Sequence, residues 1–435
     1  MNIKIYFKQA WAMMRQNKLF TSIYVAGTGL SIALVMVLFI IFYVKFAPIY
    51  PEYNRNRVLT MSTTMKKSKN DENGWICNRG VSYRFVTDYL QKLKHVEAVG
   101  ALVDRKTDVK ATRVGEFKSV PTNLRYVNAD FWQVFTFDFL AGRSFSQEEL
   151  EAVQPVVILA ESFANRLFAK SAPVGEKIYF DGKEFTVVGV VKDASNATPF
   201  SAGDAYTPIT LYAGTAYDET QGHTGNIRAF MLPLEDSGKK VLRNEVLDMI
   251  NRINRQDTLY THEFFGQPDN YWVSTFRNGM TDEVGYSVWK LLKNYLFILL
   301  ALLFIPALNL SGMISNRMDG RMAELGIRRA YGAGNGEIIR QVLWENLLLT
   351  IMGGLLGLLL SYIVVWTSSD WVMHLFDNSV ASMGKEVKVT FEMLFNPVVF
   401  IASLAFCVVL NLLSALVPTV WALRRTIINS IHSKR

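Results

Sequence analysis

The sequence has few of the residues from which catalytic and metal sites are usually built. Its 435 residues include 2 cysteines and 5 histidines, and these are scattered along the chain. The nucleotide-binding loop GxxxxGK[ST] is absent, since the nearest string, PVGEKI, lacks the first glycine and the Ser/Thr. GxSxG is absent as well, and HEFFG at His262 has only the first half of the zinc motif HExxH. We therefore predict no catalytic residues, no metal site and no cofactor.

Charge is also scarce, at 19% of residues against 50% hydrophobic ones. Four stretches contain no Asp, Glu, Lys or Arg over more than about 20 residues, the length that crosses a bilayer core. They are Leu19–Val44, Asn294–Asn316, Asn346–Ser369 and Met393–Leu423. The first is too long for a cleaved signal peptide and lacks a cleavage site after it, which favours an uncleaved anchor. The sequence thus predicts an α-helical membrane protein with four transmembrane helices.

Positive charge is concentrated on one side of these stretches. The basic residues that border the spans on that side are Lys4, Lys8, Arg15, Lys18, Arg317, Arg321, Arg328, Arg329, Arg340, Arg424, Arg425, Lys434 and Arg435. Because basic loops stay in the cytoplasm, both termini are predicted to be cytoplasmic and the long segment after the first span to be outside. The net charge of +8 is then a topology signal, and contact with lipids rather than nucleic acid is expected.

These observations divide the chain into nine predicted segments. They are a cytoplasmic amphipathic helix 1–18, a first span 19–46, an outer domain 47–287, a second span 290–316, a cytoplasmic segment 317–344, a third span 345–369, a short outer loop 370–396, a fourth span 397–423 and a cytoplasmic tail 424–435. For the first segment, a frayed cytosolic tail remains the alternative to a helix on the inner leaflet.

Strand and helix patterns alternate in the outer domain. A strand at Val156–Leu159 precedes a helix at Glu161–Phe168, and Asp181-Gly182 predicts a tight turn between two alternating strands. A further helix is indicated by Leu242, Val246, Met249, Ile250 and Ile253, and one near 83–93 precedes another strand. The outer domain is therefore predicted to be a large α+β domain of two lobes. No strand can be placed between 194 and 236.

The predicted spans contain small residues in place of ionisable ones. Without an acid, His, Lys or Arg at mid-depth, they have no group for binding or relaying an ion. Gly27, Gly29, Ser31 and Ala33 lie in the first span, and Gly353 and Gly357 form a GxxxG pattern in the third. Such residues allow two helices to approach closely, although incidental glycines in apolar helices remain the alternative. Pro306 is expected to kink the second span.

The cytoplasmic segment between the second and third spans has two predicted helices. Met318 and Leu325 share one face of the first helix, and Arg321, Glu324 and Arg328 share a neighbouring face. GAGNG at 332–336 ends this helix, and Asn335 is predicted to cap a second one from about Glu337. A face of Arg and apolar residues favours a docking surface over a plain connector.

The string RMAELGIRRAYGAGNGEIIRQVLWENLLL resembles the cytoplasmic signature of FtsX-like ABC-transporter permeases, and NKLFTSIYVAGTGLSIAL resembles the start of the same family. VNADFWQVFTFDFLAGRSF, PVVILAESFANRLFAKSAPVGEKI and EFTVVGVVKD resemble the MacB-like periplasmic core domain in order and spacing. These resemblances cover roughly residues 8–36, 125–193 and 315–350.

The resemblance implies a dimeric permease subunit in a cytoplasmic membrane, whose partner is a separate ABC ATPase that hydrolyses ATP. A coupling helix would dock on that ATPase. The residues matching the family pattern are Arg321, Glu324, Gly326, Ile327, Arg328, Arg329, Gly332 and Ala333, with Met318 and Leu325 beside them. Tyr331 stands where the family often has Leu, and the tail RRTIINSIHSKR departs from the family's proline-centred ending.

Four functions remain open at this stage. The first is an exporter working with a second permease copy or paralogue, a periplasmic adaptor and an outer-membrane channel, in which ATP hydrolysis moves the outer domain (mechanotransmission). The second is a lipoprotein-releasing subunit, and the third a permease that regulates a cell-wall hydrolase or senses a peptide. The fourth, from another class, is a membrane-anchored receptor or adhesin without an ATPase. The size of the outer domain favours the exporter and does not identify a substrate.

Overall fold

The computed structural model describes residues 11–12, 15, 18–70, 75–78, 80–103, 107–169, 171–214, 222–235, 238–277, 293, 297, 327, 331–332, 334–368 and 397–424. The described residues fall into two compact units. One, the α+β unit, contains the described residues from Lys45 to Arg277. The other, the helical unit, contains the long apolar helices.

In chain order the helical unit opens with α1, Lys18–Phe46, and the α+β unit follows. Its strands are β1 Leu59–Met61, β2 Thr64–Ser68, β3 Trp75–Asn78, β4 Gly80–Val81, β5 Val96–Val103, β6 Thr107–Arg113, β7 Ser119–Val127, β8 Phe139–Gly142, β9 Val156–Ala160, β10 Lys177–Phe180, β11 Lys183–Val191, β12 Ala205–Pro208, β13 Thr224–Gly225, β14 Ile227–Pro233, β15 Tyr260–Glu263 and β16 Asp269–Asn270. Its helices are α2 Tyr83–Phe85, continued by a π turn Val86–Leu90, then α3 Phe131–Val134, α4 Gln147–Glu151, α5 Glu161–Phe168, α6 Lys239–Gln256 and α7 Tyr271–Phe276. Short 3₁₀ turns lie at Tyr53–Asn56 and Ile209–Leu211.

Most strands join one sheet, in the order β12-β9-β11-β10-β6-β7-β5-β14-β1-β16. Because β12 also pairs with β7, six strands from β12 to β7 close on themselves. The β9–β11 and β12–β7 pairs are parallel, whereas β5, β14 and β1 pair antiparallel with one another. A separate sheet has the order β15-β2-β3. The α+β content predicted for the outer domain is confirmed.

Two hydrophobic clusters fill this unit. One lies within the closed strands and under α5, and includes Phe163, Ile178, Phe185 and Val187. The larger one lies on β5, β14 and β1, where α2, α3 and α6 cover the sheet. The two lobes expected from the sequence therefore share a single continuous sheet, with one cluster in each part.

Several local predictions match the observed elements. All five apolar residues predicted to share a helix face are buried on α6. The turn between β10 and β11 has positive φ at Asp181 (45°) and Gly182 (83°), as a type I′ hairpin requires. The segment 194–236, in which no strand was predicted, contains β12, β13 and β14. β14 lacks an alternating pattern because nearly all of its side chains are buried, with β5 and β1 as its neighbours.

The string VNADFWQVF, residues 127–135, forms the junction between β7 and α3. Asn128 is 1% exposed, and its side chain replaces strand pairing: Oδ1 accepts from Ala101 N at 2.7 Å and Nδ2 donates to Val99 O at 2.7 Å. Trp132 packs with ring centroids 5.3 Å from Phe137 and 5.5 Å from Tyr206. These contacts fix α3 against the edge of β5.

The helical unit continues with α8, Asn335–Thr367, and α9, Pro397–Arg424. Within the described part of the chain, two helical stretches, Thr21–Phe46 and Asn335–Thr367, are long and apolar enough to cross a membrane. A shorter apolar run, Phe400–Leu413, lies in α9. Nearly all of the predicted second span, including Pro306, lies outside the described residues, as does nearly all of the N-terminal amphipathic helix. Four spans therefore stay a prediction.

The predicted capping of α8 is wrong. The helix begins at Asn335, two residues before the expected start, and Gly334 is its N-cap with φ −70° and ψ 148°. The Gly334 carbonyl accepts from Glu337 N at 3.0 Å and from Ile338 N at 3.3 Å, so Gly334 and not Asn335 is the capping residue. Glycine at N-cap is only slightly poorer than asparagine, so the backbone adopts the earlier start.

Candidate functional site

The helices α1 and α8 cross in close contact where both have glycine. A Cβ added to Gly353 would lie 2.9 Å from Thr28 Cβ, and one added to Gly357 would lie 2.7 Å from the backbone oxygen of Gly29. A Cβ on Gly29 would in turn lie 3.2 Å from the backbone oxygen of Gly353. Separations under 3.0 Å are almost never seen for real Cβ atoms. The two backbones therefore approach as closely as only glycine allows.

A third glycine of α8, Gly354, which sequence reasoning missed, faces α9. A Cβ on Gly354 would lie 2.6 Å from Leu404 Cδ1. Gly353 and Gly354 are adjacent in α8 and so point to different neighbouring helices. Ile32, Val35 and Met36 of α1 form an apolar cluster with Cys407 of α9, and Leu358 of α8 packs against it. The adjacent pair of glycines could have predicted contacts of α8 with two neighbouring helices, because consecutive positions of a helix face different directions.

The remaining small residues of α1 have local roles. Ser31 Oγ donates to the Gly27 carbonyl at 2.9 Å, which satisfies the hydroxyl within its own helix. Ala33 is buried at 5% exposure. Of the predicted packing set, the structure thus brings Gly29, Gly353 and Gly357 to the crossing and leaves Gly27 and Ser31 beside it.

A buried polar cluster joins all three helices next to the crossing. The Tyr24 hydroxyl lies 3.1 Å from Asn346 Oδ1 and 3.4 Å from Asn411 Oδ1. Asn411 Nδ2 donates to Thr350 Oγ1, and Thr350 Oγ1 donates to the Asn346 carbonyl at 2.7 Å. All four side chains are at most 1% exposed. Sequence reasoning looked only for ionisable groups and missed them; the signal was Asn and Thr at i, i+4 in an apolar run.

The residue directly before Asn346 of this cluster is a buried acid. Glu345 is 2% exposed, and Gln341 Nε2 donates to its Oε1 at 3.2 Å. The predicted charge-free stretch starts at the next residue, Asn346. A buried carboxylate therefore marks the end of α8 that is predicted to be cytoplasmic.

The predicted coupling segment is described only in part. Ile327 is 53% exposed, and its carbonyl accepts from Tyr331 N at 3.1 Å. Gly332 has φ +90°, the left-handed conformation that ends helices, and Tyr331 is 90% exposed. Met318, Arg321, Glu324, Leu325, Gly326, Arg328, Arg329 and Ala333 lie outside the described residues. The break at Gly332 and the cap at Gly334 separate this segment from α8.

The HEFFG string lies in the α+β unit, where its histidine is a structural residue. His262 is 3% exposed, its Nε2 lies 2.8 Å from Asp257 Oδ2, and its backbone N donates to Asn254 Oδ1 at 2.6 Å. Within the described residues, no group of three His, Cys, Asp or Glu side chains is placed to hold a metal ion. These contacts join β15 to the end of α6.

An α+β unit placed in the chain between long apolar helices that pack through glycine defines a membrane-anchored subunit. The MacB-like periplasmic core domain model matches residues 21–237, and the FtsX-like permease C-terminal model matches residues 284–427. The chain belongs to the FtsX-like ABC-transporter permeases with a MacB-like periplasmic core domain. Members of this family are inner-membrane permease subunits whose core domain is periplasmic.

Two relatives show how far the similarity extends. An uncharacterised ABC transporter permease, YknZ of Bacillus subtilis, is 22% identical over 66% of this chain and 67% of its own length. The macrolide export ATP-binding/permease protein MacB of Neisseria gonorrhoeae is 26% identical over 65% of this chain, but this match spans only 40% of MacB. The periplasmic region of MacB from Actinobacillus actinomycetemcomitans has 17% identity and a TM-score of 0.35, covering 49% of this chain and 92% of that one.

Proposed function

We propose that the chain is the transmembrane subunit of a MacB/FtsX-type ABC transporter, in which ATP binding and hydrolysis by a separate ATPase move the periplasmic domain to drive export. The family membership supports this assignment, because permeases of ABC transporters work with an ATPase. The MacB relative is named as both ATP-binding and permease protein, whereas this sequence contains no GxxxxGK[ST] string.

The observation that supports the proposal is that α8 packs against α1 through two kinds of contact. α8 is a continuous helix of 33 residues that starts directly after the Gly332–Gly334 break. The glycine crossing and the polar cluster around Tyr24 then hold α8 against α1, which ends at Phe46 just before the α+β unit in the chain. A rigid helix held at two kinds of contact transmits displacement rather than absorbing it.

In this mechanism the coupling helix around residues 321–333, within the cytoplasmic segment 317–344, docks on the ATPase through its Arg, Glu and apolar side chains. ATP-driven movement of that segment shifts α8, and α8 takes α1 with it. The substrate need not pass between the spans, which agrees with spans that contain no ionisable residue at mid-depth. A second copy or paralogue completes the dimer, and both termini lie in the cytoplasm.

Two of the most similar relatives favour the exporter type over the lipoprotein-releasing and peptide-sensing types. The names of the MacB relatives and of a syringafactin relative from Pseudomonas syringae contain the word export. The match of the MacB-like core domain to residues 21–237 agrees with that type. A periplasmic adaptor and an outer-membrane channel would then be the outer partners.

The test is a detergent pull-down of the tagged full-length chain from its own cells. We expect the wild type to recover an ABC ATPase with ATP hydrolysis, and the triple variant Glu324→Ala/Arg328→Ala/Arg329→Ala to lose both. Lys434→Ala/Arg435→Ala, which removes two charges from the predicted cytoplasmic tail, is the matched control and should retain the ATPase. A well-inserted wild-type protein that recovers no ATPase would overturn the proposal in favour of a receptor or adhesin.

A further inference from the structure

The α+β unit buries an ion pair close to where α1 ends. Glu52 is 1% exposed and Arg55 is 3% exposed, and Arg55 Nε donates to Glu52 Oε2 at 2.9 Å. Both residues lie in residues 47–58, the segment that connects α1 to β1 and that we call the first connector. Arg55 also donates through Nη1 to the Ala47 carbonyl at 2.9 Å, which closes the connector on itself.

The Glu52 carboxylate accepts hydrogen bonds from the first connector and from two distant parts of the chain, at Ser201 and Tyr271. Its Oε1 accepts from Ser201 N at 3.1 Å and from Ser201 Oγ at 2.8 Å. Its Oε2 accepts from Arg55 and from the hydroxyl of Tyr271, the first residue of α7. The guanidinium of Arg55 lies 4.8 Å from the centre of the Tyr271 ring. Burial, and then the neighbouring Glu52, raise the pKa of Tyr271 well above its usual range, so the phenol remains a donor.

Tyr271 belongs to residues 264–277, the segment that leaves the α+β unit toward the predicted second span and that we call the second connector. Gln267, fully buried, fastens it further: Oε1 accepts from Ser62 N at 2.6 Å and Nε2 donates to the Thr63 carbonyl at 2.8 Å. Asp269 holds Arg277 through two bonds of 2.6 and 2.8 Å. The strand β16 of this connector pairs with β1, which directly follows the first connector.

A buried ion pair contributes little net free energy to the stability of the folded state. Removing two charges from water costs several kcal/mol per ion, and apolar residues of the same size often serve as well or better. What a hydrogen-bonded charged cluster supplies is one defined geometry, because its bonds are directional and a sliding movement does not preserve them. Here the geometry that is defined is that of the two connectors relative to each other and to Ser201.

We propose that Glu52, Arg55, Tyr271 and Ser201 form a joint that makes the two membrane connectors of the α+β unit move as one body. The joint rests on the proposed function and adds to it the residues through which movement of α1 reaches the second connector and the sheet. Displacement of the first connector then displaces the second connector in the same direction, instead of being lost in a flexible loop.

Hydrogen exchange of the full-length chain in lipid nanodiscs tests the joint without ATP or any partner. In Glu52→Gln the Arg55 charge loses its counter-charge, and the amide cannot accept all four bonds. We expect amides of both connectors to exchange about tenfold faster or more, while β10 and β11 are unchanged. Tyr271→Phe removes a single hydroxyl and keeps the ring under Arg55, so it should accelerate both connectors by a smaller factor.

Glu116→Gln is the matched control, because that carboxylate is 47% exposed and its partner at 3.7 Å, Arg113, lies in β6, outside both connectors. It should leave exchange in both connectors as in the wild type. The proposal is overturned if acceleration in both variants is confined to the mutated connector, or if it spreads equally to β10 and β11. Because the measurement needs no ATPase, failure of the pull-down described above would overturn the proposed function while leaving this result to decide on the joint.

Discussion

The hydroxyl of Tyr24 in α1 lies 3.1 Å from Oδ1 of Asn346 in α8, and both side chains are at most 1% exposed. In a bilayer interior, helix association comes from close packing and from hydrogen bonds such as this one. The bond lies beside the glycine crossing, so directional and steric contacts reinforce each other at one place. This relationship explains how spans without a charged residue at mid-depth keep a defined arrangement.

Removing the Tyr24 hydroxyl should weaken the three-helix packing. In Tyr24→Phe the ring remains, but the one hydroxyl proton that lies between Asn346 Oδ1 and Asn411 Oδ1 is lost, and bonds of this kind contribute about 1 kcal/mol in membranes. The thermal unfolding midpoint of the purified chain in detergent should fall by about 2–4 °C. Ser22→Ala removes an exposed hydroxyl of the same helix that bonds only to the Leu19 carbonyl at 2.9 Å, and should leave the midpoint unchanged. Equal shifts in the two variants would contradict the role given to Tyr24.

A methyl group at the crossing should separate α1 from α8. In Gly357→Ala the new Cβ would lie 2.7 Å from a backbone oxygen of Gly29, which cannot rotate away, and overpacking of this kind costs about 1–3 kcal/mol. The distance between spin labels at Leu30 and Leu359, both exposed, should increase, and the thermal midpoint should fall. Gly336→Ala, with no heavy atom within 4 Å of its added Cβ, should leave the label distance unchanged and should not lower the midpoint, because Ala favours a helix over Gly. An unchanged label distance in Gly357→Ala would show that the close approach is not needed.

Asn128 should be among the most sensitive positions of the α+β unit. Asn128→Ala leaves the Ala101 N–H and the Val99 carbonyl without their side-chain partners in the core, at a cost of about 1–3 kcal/mol for each group. We expect a loss of roughly 3 kcal/mol in denaturant unfolding followed by tryptophan fluorescence. Asn165→Ala, on an exposed position of α5, is the control and should stay within about 0.5 kcal/mol of the wild type. A small effect at Asn128 would mean that water replaces both bonds.

Features set by local periodicity or turn chemistry could be predicted from the sequence. The strand β9, the helix α5, the Asp181-Gly182 turn and the buried face of α6 each depend on residues close together in the chain. The strands β12 and β14 could not be predicted, because a strand buried on both faces has no alternation and its place in the sheet depends on partners about 80 to 130 residues earlier.

The candidate site divides in the same way. Gly353 and Gly357 could be singled out as a packing motif, but that Gly29 is their partner is a matter of how α1 and α8 cross. The contact between Glu52 and Tyr271 could not be predicted, because the two residues are 219 positions apart in the sequence and only the fold brings them together. A site formed by residues close together in the sequence can be predicted from it, whereas a site formed by residues that only the fold brings together cannot.

Acidification should destabilise the α+β unit through two neighbouring histidines, the buried His262 and the partly buried His223. His223 packs with its ring centre 5.1 Å from Tyr89 and 4.7 Å from His262. Burial, and then the neighbouring His262, lower the pKa of His223 to about 4, against 6.5 for an ordinary histidine. Burial lowers the pKa of His262 as well, although its bond to Asp257 opposes this. Between pH 6.5 and about 4 these histidines are therefore protonated in the unfolded chain but largely neutral in the folded one. Their neutral state has no cost above pH 6.5, and the free energy of unfolding falls as the pH drops from 6.5 to about 4.

Asp257 does not contribute in that window. Burial opposes its ionisation, but the bond with His262 and the backbone N–H groups of Tyr260 and Leu259 lower its pKa to about 2, so its contribution is lost only below its ordinary value of 3.8. We expect a loss of roughly 2 kcal/mol between pH 7 and pH 4.5, allowing for partial exposure of His223. The measurement is denaturant unfolding of the full chain at a series of pH values. His223→Phe keeps an aromatic ring and should flatten the dependence, whereas Tyr89→Phe should leave it as steep as in the wild type. Identical slopes in all three proteins would show that His223 is not the group that titrates.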